Sequence, residues 1–111
     1  MPLKANAGTK ASWRTDVHAH GVQVSESLAG VIDDRLQAAL AGLESRVHRV
    51  HLRLYGGPGW ASGCTCYIRV DLLPSGGLAR GDSAADVDQA VAVASVRVGA
   101  AVRELFRGGL R

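Results

Sequence analysis

The chain has 111 residues, enough for one domain around one modest core. Its hydrophobic content of 47% argues against wholesale disorder, and two cysteines separated by a single residue do not make a disulfide framework. The formal net charge of +3 permits an anionic partner without demanding one, so the placement of the charges matters more than their sum.

Residues 1–12 are small and polar and read as a flexible lead-in to a domain expected over 13–107, with 108–111 a short tail. From Trp13 to His20 the pattern alternates. Trp13, Thr15, Val17 and Ala19 face one way and Arg14, Asp16, His18 and His20 the other, which predicts a first strand. Ser25 is a good N-cap with Glu26 behind it, and Leu28, Ile32, Leu36, Leu40 and Leu43 then recur at helical spacing. Between Val47 and Tyr55 the period returns to two. His48, Val50, Leu52 and Leu54 share one face, opposite Arg49, His51, Arg53 and Tyr55.

A glycine-rich loop around Trp60 follows. It lacks the Lys-Ser/Thr of a phosphate loop and precedes a strand rather than a helix. The third strand runs from Cys64 to Leu72, with Cys64, Cys66, Ile68, Val70 and Leu72 on one face. A turn at Pro74 to Gly77 leads to a short, poor strand over Leu78 to Gly81. The closing helix is expected from about Ala85 to Leu105, with an apolar stripe of Val87, Val91, Ala94, Val98, Val102 and Leu105 and a frayed end at Gly108-Gly109.

The order β-α-β-β-β-α predicts an α+β domain, one sheet with two helices packed on one face, because a single core then satisfies every amphipathic pattern. His48, Val50, Cys66 and Ile68 are expected beneath the helices, leaving Arg53, Tyr55, Tyr67 and Arg69 on an open face. No stretch is long and apolar enough to cross a membrane, and no apolar run marks a secretory signal, so a cytoplasmic location is expected.

No nucleophile–base set stands out, and no enzyme is expected. On the closing helix Arg97, Arg103, Arg107 and Arg111 fall within an arc of roughly 120° at about 100° per residue. Guanidinium groups suit bidentate phosphate contact, although an exposed helix face is more often merely solvated. His18 and His20 with Cys64 and Cys66 make four conceivable zinc ligands. The spacing is not that of a zinc knuckle and the cysteines fall on the core face, so buried thiols are favoured and neither metal nor other cofactor is expected. His51, Tyr55 and Tyr67 with Arg53 and Arg69 form either an RNA-stacking platform or ordinary cross-strand pairs, and the pairs are favoured.

From Trp13 to Leu105 the chain resembles the short form of the ribosome hibernation promoting factor / ribosome-associated inhibitor A family. The resemblance rests on Ser25-Glu26-Ser27-Leu28 at the first helix, Arg46-Val47 with Val50, Leu52 and Leu54 in the middle, and Cys64, Cys66, Ile68, Val70 and Leu72 after the loop. Asp86 with Ala90-Val91, and then Arg97-Val98, complete it on the closing helix. It implies a protein without catalysis or cofactor that binds the small ribosomal subunit and its rRNA near the decoding region and holds the ribosome idle under stress. The implied RNA contacts are Arg35, Arg97, Arg103 and Arg107, with Arg80 and Arg14 behind them. Ala29, Ala38 and Ala100 stand where relatives often carry Lys or Arg. The chain stops at Arg111, so the pairing domain of the long form is not expected. The alternative is a degenerate relative that binds protein, or forms a weak homodimer, through the open sheet face or an edge strand.

Overall fold

A computed structural model describes residues 13–56 and 63–109. Strand β1 spans Arg14–His20, helix α1 Glu26–Ala39, β2 Val47–Tyr55, β3 Cys64–Leu72, β4 Gly77–Ala84 and helix α2 Val87–Gly109. The lead-in, the loop residues 57–62 including Trp60, and Arg111 lie outside the described residues.

The strands form one sheet in the order β1-β2-β3-β4. β1 and β2 are parallel, because α1 carries the chain back across the sheet between them; β2, β3 and β4 run antiparallel to their neighbours. Ser25 caps α1, its hydroxyl oxygen accepting from the Leu28 amide at 3.1 Å. Asp86 caps α2 in the same way, its carboxylate accepting from the Gln89 amide at 2.8 Å.

The core lies between the helices and the sheet. Ile32 and Leu36 of α1, Val91, Val98 and Val102 of α2, and Val50, Leu52, Leu54, Cys66, Ile68 and Val70 of the central strands are all buried. Each full-sized apolar side chain buried there is worth roughly 1.5–3 kcal/mol of transfer free energy. The fold class, the element order and the inward face of β3 are those expected from sequence.

Three details differ. His48 is exposed, not inward. The β2–β3 register shifts between Val47 and Arg49, and this bulge lets Val47 and Val50 both point into the core while His48 swings out. Leu105 is 45% exposed although it continues the α2 stripe. A helix of 23 residues is about 35 Å long and its last turns pass the end of the core; Phe106 packs there instead, beneath the Arg46 guanidinium at 4.7 Å. Finally, β4 continues past Gly81 to Ala84. Gly81, Asp82 and Ser83 have poor strand propensity, and pairing with Cys66, Tyr67 and Thr65 of β3 holds them extended.

Candidate nucleic-acid interface

The arginines expected to bind phosphate occupy three separate places. On α2, Arg97 and Arg103 stand at the two margins of the exposed surface. Arg97 leans toward β4, where its Nη1 donates to the Asp82 carboxylate at 3.1 Å. Arg80 belongs to the same border, because Arg80 and Asp82 share one face of β4, opposite Ile68 and Cys66 of β3. The Arg80 guanidinium donates to the neighbouring Ala79 carbonyl at 2.7 Å.

Arg103 leans the other way, toward α1. Its two terminal nitrogens donate to the carbonyls of Ala39 and Ala41, each at 2.7 Å. Those carbonyls lie at the end of α1, where backbone acceptors run out of helical donors and the helix dipole is negative. Gly99, one turn earlier on α2, makes the approach feasible: a Cβ placed there would stand 2.5 Å from the Ala39 carbonyl oxygen. Arg103 is therefore a fastener between the helices as well as a surface cation. Arg35 lies one turn before Ala39 on the same flank of α1, and its side chain has no hydrogen bond or ion pair with another described residue. Arg107 donates to Glu104 at 3.0 Å, an exposed pair within one helix. Between Arg97 and Arg103 the face of α2 is apolar, with Val93 40% and Val96 67% exposed.

Arg14 joins none of these. It sits on the open side of the sheet, opposite Arg49 of β2. That side also carries Arg53 and Arg69, three histidines and two carboxylates. Asp71 accepts from Arg69 at 2.9 Å and lies 3.1 Å from His51, whose other ring nitrogen is 3.7 Å from Asp16. The Arg69 hydrogen bond, followed by that of His51, holds the Asp71 carboxyl below its ordinary value. Asp33 on α1 moves the opposite way, raised by partial burial and then by the charge of Asp34. Sequence reasoning favoured simple cross-strand pairs here. His51 does bridge strands, to Asp16 of β1 and Asp71 of β3, but Arg69 pairs with Asp71 within β3, and the side chains of Arg14 and Arg53 make no hydrogen bond or ion pair with another described residue.

The four conceivable zinc ligands do not converge. Cys64 and Cys66 are buried beneath the helices, whereas His18 and His20 stand exposed on the opposite side of the sheet. Burial, with Cys64 alongside, pushes the Cys66 thiol up to about 12, the behaviour of an inert core residue. Among the described residues no group of three or more His, Cys, Asp or Glu side chains converges to hold a metal ion, and no helix there is long and apolar enough to cross a membrane.

Comparison of the coordinates with solved structures places the fold. The chain superposes on the N-terminal domain of Protein Y from Thermus thermophilus with a TM-score of 0.68, covering 87% of this chain and 99% of that one. Its fold is that of the Protein Y N-terminal domain. A ribosomal subunit interface protein from Coxiella burnetii matches at a TM-score of 0.66, over 82% of this chain and 94% of that one. Sequence identities are 14% and 11%, so the likeness is one of fold. That fold is the one implied by the resemblance drawn from the sequence. No protein-family profile and no curated protein sequence matches the chain.

Proposed function

We propose that this protein is a non-catalytic, cytoplasmic ribosome-binding factor that occupies the small subunit near the decoding region and holds translation idle under stress. The observation that carries the reading is the near-complete overlap with the Protein Y N-terminal domain, joined by a ribosomal subunit interface protein.

The chemistry supports it unevenly. Arg35 is ready to meet a phosphate. Arg97 and Arg107 are held only by exposed carboxylate pairs. Such pairs are worth about 0–1 kcal/mol, so a phosphate with its released counterions competes for them. Arg80 can release its own neighbour's carbonyl at similarly small cost. Arg103 contributes charge to the helix groove while remaining bound to α1. Arg14, on the other side of the sheet, reaches RNA only if the subunit encloses both faces.

Co-sedimentation with purified small subunits across a salt series tests this. The parent protein is expected in the subunit fraction at low salt and free at high salt. Arg35→Gln combined with Arg97→Gln is expected to bind at least tenfold more weakly and to lower the salt slope by about two, roughly one per lost phosphate contact. A salt-insensitive dimer with no affinity for subunits would refute the reading and favour a self-associating module.

A further inference from the structure

The helices cover one side of the sheet, and no described residue covers the other. On that open side two tyrosines stand on the central strands. Tyr67 of β3 is 44% exposed. Tyr55 of β2 lies diagonally across from it and is stacked with His20 of β1, the ring centroids 6.0 Å apart and the planes within 11°. Arg53 stands between them, in register with Tyr67 on one side and His18 on the other.

Two shallow depressions share Arg53. One is lined by His18, His20, Arg53 and Tyr55, the other by His51, Arg53, Tyr67, Arg69 and Asp71. The charge balance of the face is basic. Arg14, Arg49, Arg53 and Arg69 face only Asp16 and Asp71, and both carboxylates are already paired. Gly81 on β4 keeps the platform low, because a Cβ there would stand 3.1 Å from the Tyr67 ring.

We propose that this open sheet face binds a single-stranded RNA segment, with bases stacked on Tyr67 and on the Tyr55–His20 pair, the connecting phosphate held by Arg53 and a more distant phosphate held by Arg14 at the far end of β1. The choice of RNA as the polymer rests on the ribosome reading above; the recognition chemistry rests on the sheet alone. Diagonal neighbours on an antiparallel pair lie about 7–8 Å apart, within the spacing that an extended strand with splayed bases adopts. A base on an aromatic ring contributes about 1–3 kcal/mol and tolerates any sequence. A duplex offers phosphates but keeps its base faces inside, so it engages the arginines and not the rings. An apolar protein partner is disfavoured by the same surface, whose exposed groups are mostly charged, imidazole or phenol.

The test is fluorescence anisotropy of labelled decaadenylate and decauridylate with the full chain, with a blunt ten-base-pair RNA duplex as comparator. Amide chemical-shift mapping runs in parallel. Because the probes contain no ribosome, failure here is separable from failure of subunit co-sedimentation. The expected result is single strands bound at least fivefold tighter than the duplex, with shifts concentrated on residues 14–20, 51–55 and 65–69. Arg53→Gln, at an exposed position, is expected to weaken binding about fivefold and Tyr67→Ala about tenfold. Tyr67→Phe keeps the ring and is expected to recover most of the loss. Equal affinity for duplex and single strand, shifts confined to α1 and α2, or a Tyr67→Ala protein that binds as the parent does would each overturn the proposal.

Discussion

On the helical side Arg103 is held by two backbone carbonyls and Arg97 by the Asp82 carboxylate; on the open sheet the side chains of Arg14 and Arg53 make no hydrogen bond or ion pair with another described residue. The same residue type thus serves two ends. Between the helices it closes the fold, where unsatisfied carbonyls at the end of α1 call for a donor. On the sheet it remains available to an outside anion. Counting arginines on a helical wheel does not separate these uses, because the wheel shows direction and not the partner met there.

The comparison is most sharply tested at the helix joint. Gly99→Val is expected to force α2 away from Ala39, costing about 1–3 kcal/mol and lowering the melting temperature by several degrees. An unchanged melting curve would mean that the joint is loose and that Arg103 is not a fastener. Next, Arg103→Ala is expected to cost about 1 kcal/mol, since it orphans two carbonyls, whereas Arg97→Ala is expected to cost less than about 0.5 kcal/mol. Equal losses in thermal denaturation would erase the distinction between fastener and surface cation.

The smallest effect belongs to the sheet network. Because the folded state holds Asp71 below its ordinary value of 3.8, its pairing adds stability above that pH. That stability is lost as pH falls through the lower folded value. Asp71→Asn is therefore expected to be less stable than the parent at neutral pH by a few tenths of a kcal/mol, the gap closing in acid below about pH 4. Chemical denaturation at several pH values reads this directly, and a gap that persists in acid would assign the loss to packing.

Much of the fold was legible in the chain because the apolar periods are clean. Alternation in β2 and β3 and the leucine spacing of α1 fixed the element types and the sheet's inner face. The bulge near His48 escaped because strict alternation carries no mark of an inserted residue. The end of β4 escaped because Gly81, Asp82 and Ser83 have poor strand propensity, and pairing with β3 overrides that preference. With β4 ended at Gly81, Asp82 is not placed beside Arg97, so that pair is not legible in the sequence. The Arg103 contact was equally hidden, since its partners, Ala39 and Ala41, lie more than sixty residues away and offer only backbone oxygens.

The central claim, that this domain sits on the small subunit at the decoding region, is met most directly by chemical footprinting of small-subunit rRNA with and without saturating protein. The account predicts protection concentrated at the decoding region and lost on adding salt. Unchanged reactivity there, with the protein present in excess, would contradict it.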